Sequence, residues 1–132
     1  MIRHNVLIIH REVALMRQRF PTFRCRCVKD VIRWHGTLQP RDTSPQYGIR
    51  IIYHVPIVPK VWVTYPPIRP DAPHRYPDHS LCLYYPDDGS WHPDAGISKT
   101  IVPWTAEWLL FYEYWLQTGI WWGVEVPHQT PT

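Results

Sequence analysis

The chain has 132 residues, enough for one domain around one core, and with 45% hydrophobic and only 19% charged residues it is not a disordered chain. Its net charge of +3 is too mild to imply nucleic acid, and no aromatic-flanked basic loop accompanies the arginines, so no nucleic-acid partner is expected. Three cysteines, an odd number without a secretory leader, argue against a disulfide framework. The apolar run from Val6 to Ile9 is broken by charge and histidine too soon for a signal peptide or a membrane span. The expectation is a soluble cytoplasmic protein with reduced thiols and no membrane partner.

The first element is a helix over 5–19. Val6, Ile9, Val13, Met16 and Phe20 form one apolar stripe, Asn5 is placed to cap it and Pro21 stops it. In 23–34, "FRCRCVKDVIRW", Phe23, Cys25 and Cys27 alternate with Arg24 and Arg26, the pattern of a half-buried strand. This reading makes Cys25 and Cys27 core residues, since no further ligands follow at zinc-like spacing. Arg11, Arg17, Arg19, Arg24 and Arg26 form a basic cluster that reads either as a solvated face or as a docking surface for an acidic protein. Strands follow at 31–40, ended by Gly36 or Pro40, at 46–55 and at 59–66. Their short connections predict an antiparallel meander.

Residues 66–94 are rich in Pro, Asp, His and Tyr and lack periodicity, a length of irregular chain that usually serves function. Residues 98–118 read as a long aromatic helix. Pro103 lies in its first turn, Trp104, Trp108, Phe111 or Tyr112, and Trp115 form a wide stripe, and Gly119 is the stop. Beyond that stop, Trp121 and Trp122 cannot easily both be buried, so one is expected to face a partner. The fold class is α+β: an antiparallel sheet with helices on one side, in a single domain over 1–126 with a flexible tail at 127–132.

Cys82 stands in the irregular segment within Leu81-Cys82-Leu83-Tyr84. Three readings are open: a small buried hydrophobe, a metal ligand with His74, His79 and His92, or a nucleophile. The histidine spacing matches no standard zinc pattern. Several short motifs in order then carry a resemblance to the ubiquitin-conjugating enzymes. "HVPIVPKVWV" (54–63) resembles that family's Tyr-Pro-x-x-Pro-Pro-Lys-Val step. Pro73-His74 lies where the family has the end of its His-Pro-Asn signature, eight residues before the cysteine. Leu81-Cys82-Leu83 resembles Ile-Cys-Leu, Trp91-His92-Pro93 resembles Trp-x-Pro, and Thr100-Ile101 resembles the Thr-Ile opening the next helix.

The resemblance spans about residues 5–118 and implies an N-terminal helix, a four-stranded meander, an active-site loop and a helix behind it. It departs where His74 replaces the family's asparagine and Ala72 its histidine. The compact, histidine-bearing form looks like prokaryotic relatives in anti-phage systems built around a cyclic-oligonucleotide synthase (CBASS).

What the resemblance implies is a Cys82 displayed in an open groove that takes a protein's C-terminus as a thioester and passes it to an amine. His74, or in second place His79, would assist, with loop bracing as the alternative for His74. Asp87 and Asp88 would orient or deprotonate the amine or simply form a turn, oppose thiolate formation and leave the Cys82 pKa not strongly lowered. Trp91 would lie along the substrate. Arg11 and Arg17 would meet an activating enzyme or form a solvated face. The expected partner is a protein with an activated C-terminus, a synthase being one candidate, and no cofactor or metal is expected. A non-catalytic binding module of the same fold and a cysteine hydrolase acting on protein tails are the rival functions.

Overall fold

The first helix, α1 (Ile2–Arg19), begins earlier than its sequence cap suggests. Asn5 lies inside it, and its side-chain amide donates to Asp30 at 3.0 Å instead of capping the end. The computed structural model describes residues 2–84 and 91–123. The buried face of α1 is Ile8, Ile9, Glu12 and Met16, with Val13 and Phe20 half-buried, while Val6 is exposed. The expected stripe is therefore rotated, because an acidic residue holds the centre of the seam. Glu12 is fully buried and accepts the backbone N–H of Ile97 at 2.9 Å.

The strands β1 (Arg24–Val28), β2 (Val31–Leu38), β3 (Tyr47–His54) and β4 (Pro59–Tyr65) form one antiparallel sheet in the order 1-2-3-4, the expected meander. Residues 29–30 turn β1 into β2, with Lys29 at a left-handed φ of 54°. Cross-strand rows set the inner face: Trp34, Ile51 and Val61 in one row, Ile32, Tyr53 and Pro59 in the next. All six side chains are buried, and such aligned apolar pairs are the unit of sheet stability. Gly36 lies within β2 rather than ending it. A Cβ there would stand 2.4 Å from the Phe23 ring, so its lack of a side chain lets that ring pack across the strand.

Cys25 and Cys27 continue the inner rows, opposite Trp34 and Ile32. They are nevertheless exposed, which corrects their reading as core residues. Every residue of β1 is exposed: it is the edge strand, and the covering layer does not reach it. Alternation in the sequence reported which face the thiols share but not whether anything lies over it.

A π-helical turn, Ile97–Ile101, leads into α2 (Val102–Thr118). Pro103 sits in the first turn of α2, and Gly119 ends it at φ 77°, donating its N–H to Trp115 at 2.8 Å. Helix α2 buries Trp108, Leu109 and Tyr112, with Trp104 and Trp115 packed at the margin. It also carries Glu113, which gathers the β2–β3 loop. Arg41 donates to Glu113 Oε1 through Nε (3.1 Å) and Nη2 (2.7 Å), Ser44 donates to the same oxygen (2.9 Å), and Tyr47 donates to Oε2 (2.8 Å).

Burial alone would push the Glu113 carboxyl up, but the bonds from Tyr47, Arg41 and Ser44 outweigh it and hold the pKa below the usual carboxylate range. A depressed carboxylate contributes stability that is present above its unfolded value, about 4.3, and lost as pH falls through the lower folded value. Glu113→Gln should therefore flatten the fall of the urea midpoint below about pH 4, and should lower that midpoint at pH 7.

Candidate active site

The segment leaving β4 is irregular, as expected, yet it is fastened at several points. Leu81 donates its N–H to the Val61 carbonyl of β4 at 2.9 Å, which lays the apolar run along the sheet. Tyr76 donates its N–H to Ser80 at 2.9 Å, and Arg75 bridges Leu81, closing a small antiparallel loop. Asp78 braces that loop from within, accepting from the Ser80 N–H (2.9 Å), the Ser80 hydroxyl (2.6 Å) and Lys60 Nζ (2.7 Å). Burial pushes the Asp78 carboxyl up, but the Lys60 and Ser80 bonds prevail and bring it down to about 2.

Cys82 is held by its own N–H, which donates to the His74 carbonyl at 2.9 Å. The same carbonyl accepts the indole N–H of Trp108 at 3.0 Å, so α2 and the cysteine share one anchor. His74 adopts a left-handed φ of 61° at this junction. The thiol is not displayed: Cys82 is 7% exposed, which corrects the open groove read from its polar flanks. The flanking polar loops are not what surrounds it, because Leu81 and Leu83 pull the residue down between the sheet and α2.

Cys82 lines a pocket of about 150 Å³ with His74, Leu83, Trp104, Glu107, Trp108, Phe111 and Trp121. Trp121 turns inward here, its ring 4.8 Å from the His74 ring and 5.2 Å from that of Trp108, while Trp122 remains exposed. A second cavity, of about 330 Å³, runs on the Tyr76 side along Leu81, Leu83 and Tyr84.

Burial pushes the Cys82 thiol up to about 12; a hydrogen bond with the Tyr76 hydroxyl opposes the rise and the Asp78 charge adds to it. The thiol pKa is not strongly lowered, as expected, and the acid whose charge acts on it is Asp78. Asp87 and Asp88 lie outside the described residues, as does 127–132. Tyr76 is the partner that sequence reading missed. Its hydroxyl reaches the Cys82 sulfur, with the Tyr84 carbonyl at 3.3 Å as the alternative acceptor for its one proton. Its position two residues after His74 and six before Cys82 was the available signal.

Of the other expected site residues, His74 stands in the Cys82 pocket, whereas His79 is exposed at φ 73° and lines neither cavity. Trp91 is 9% exposed, donates its indole N–H to Thr100 (2.9 Å) and packs edge-on to Tyr53. It offers packing rather than a substrate-facing ring. Arg11 is committed within the molecule, to Glu12 at 3.2 Å and to the Pro93 carbonyl. Arg17 is exposed on the last turns of α1. Among the described residues, no group of three His, Cys, Asp or Glu is arranged for a metal ion, and no helix is long and apolar enough to cross a membrane.

A helix, a four-stranded meander, a fastened cysteine loop and a helix behind it define a conjugating-enzyme-like protein. The family described as Type II CBASS E2 protein matches residues 12–129, and the chain belongs to that family. Its role is accordingly conjugating-enzyme-like and within CBASS. Among curated proteins, none matches the chain.

A thiol at about 12 is ionised to roughly one part in 10⁵ at pH 7. With Cys25 and Cys27 replaced by serine, Cys82 should alkylate slowly with iodoacetamide, roughly tenfold faster per pH unit between pH 7 and 10. Asp78→Asn should speed the reaction a few-fold by removing the facing charge. A plateau near pH 8–9 would show an ordinary thiol.

Proposed function

We propose that Cys82 carries the C-terminal acyl group of a protein as a thioester and passes it to an amine. The observation that supports this reading best is the pinned cysteine lining a pocket with His74, with a tyrosine hydroxyl on its sulfur. In the first step the Cys82 thiol gives up its proton and the sulfur attacks the carbonyl of an incoming thioester. The carbonyl reforms as the original thiol leaves and takes up a proton. In the second step an amine, such as a lysine side chain, attacks the Cys82 thioester. Its nitrogen loses a proton, the amide forms, and sulfur departs. The synthase of the system is a candidate protein for transfer, and an activating enzyme a candidate donor.

The raised pKa shapes both steps. Few thiols are ionised at neutral pH, but each thiolate is a stronger nucleophile, which recovers about half of the loss on a logarithmic scale. The acyl group arrives already activated, so exchange between thioesters is close to balanced. In the second step a high-pKa sulfur leaves slowly, which makes the Cys82 thioester a durable carrier. The Tyr76 hydroxyl is placed to stabilise the departing sulfur. His74, in the same pocket, supplies an imidazole toward the oxyanion of each tetrahedral intermediate, where one good donor is worth about 10²–10³ in rate.

Intact mass spectrometry of the protein expressed with its genomic neighbours tests the carrier role. A protein-sized adduct should be present on wild type and on the Cys25→Ser/Cys27→Ser variant, absent from Cys82→Ala, and released by hydroxylamine. An adduct that survives Cys82→Ala, or none with any neighbour, would overturn it. Turnover of a thioester by the isolated protein would point to a hydrolase instead.

Once loaded, Tyr76→Phe should discharge to an amine about tenfold more slowly than wild type, the rate equivalent of one hydrogen bond to a charged sulfur. Unchanged discharge in a single-turnover assay would remove Tyr76 from the mechanism.

A further inference from the structure

The outer face of the sheet has an unusual charge pattern. Arg24, Arg26, Arg33, Arg50 and Lys60 all point away from the helices, and the four strands contain no acidic residue. The register aligns them in rows: Arg24, His35, Arg50 and Trp62 in one, Arg26, Arg33, Ile52 and Lys60 in the next. Strands about 4.8 Å apart and residues about 6.6 Å apart along a strand put these charges within one screening length of each other. Of the 14 Lys and Arg in the chain, five stand on this face. The strands thus concentrate positive charge on this surface.

Among the described residues, little neutralises it. Lys60 pairs with Asp78 at 2.7 Å. Arg24, Arg26 and Arg33 form no ion pair among the described residues, and Arg50 Nε is buried without a hydrogen-bond partner there. Beside the arginines the same face opens an apolar hollow of about 420 Å³, lined by Ile52, Ile57, Val58 and Trp62 with His54 and Lys60. Ile57 is 65% exposed at its rim.

We infer that this face docks an acidic segment of a partner protein that also presents one apolar anchor side chain. The anchor would fill the hollow, and carboxylates on either side would meet Arg26, Arg33 and Arg50. A phosphate backbone would use the charges and leave the hollow empty. Nor does the face offer bases a stacking platform, because the Arg50 guanidinium covers the Trp62 ring at 4.7 Å and the indole N–H is bonded to the Asp78 carbonyl. The surface is separate from the Cys82 pocket, so this docking does not depend on the thioester chemistry.

The test uses the full chain and a synthetic peptide, acetyl-Glu-Asp-Glu-Leu-Phe-Glu-Asp-Glu-amide, followed by NMR titration at low and physiological salt. Saturable shifts at Arg33, Ile52, Ile57 and Trp62 are expected. Kd should rise about tenfold for Arg26→Glu/Arg33→Glu, and several-fold both for Ile57→Asp and for a peptide with Ala-Ala at its centre. These positions are exposed, and unchanged spectra elsewhere establish that the variants fold. An affinity unaffected by the charge reversal would overturn the proposal. So would equal binding of the Ala-Ala peptide, or tighter binding of a single-stranded DNA 12-mer, which would mark a simple polyanion surface.

Discussion

The carboxylate of Glu12 is the point on which the helical layer depends. A fully buried acid on α1 accepts the N–H of Ile97, where the chain turns into its second helical stretch. Arg11 donates to the other carboxylate oxygen and to the Pro93 carbonyl. One side chain therefore joins the first helix to the return path from the cysteine loop. An unmet carboxylate at that depth would be costly, so the arrangement is locked as a unit. The Trp108 indole, presented by the helix that starts there, then reaches the His74 carbonyl that also anchors Cys82.

This chain of contacts explains why a short apolar run lies between two polar loops. The sheet takes Leu81 through the Val61 carbonyl, and α2 takes the cysteine through His74 and Trp108. The sulfur pays for that fixation with a strongly disfavoured negative charge. In the proposed carrier role such a thiol would be serviceable, because a high-pKa sulfur would exchange with an activated partner and resist idle modification otherwise.

Most of the fold was legible because its elements announce themselves by period. The meander, the Pro103 entry and the Gly119 stop of α2 all follow from local rules, and the ordered motifs around Cys82 identified the superfamily. What was illegible depends on layers rather than on neighbours in sequence. Cys25 and Cys27 alternate correctly, yet no pattern says that β1 lies beyond the cover. Glu12 breaks an apolar stripe, and only its partner 85 residues away explains it. Cys82 read as displayed because its loops are polar, while its burial comes from α2. Tyr76 lies between His74 and Cys82 without a motif of its own, and its importance is a matter of where its hydroxyl ends.

The uncovered β1 strand has a consequence for the behaviour of the protein in concentrated solution. Its outer edge presents backbone donors and acceptors that a second chain could extend, and Val28 stands exposed beside them. Arg24, Arg26 and Lys29 occupy the same stretch, and like charges brought edge to edge repel. Basic side chains along this margin thus act as gatekeepers against strand-to-strand association, a protection that weakens as ionic strength rises.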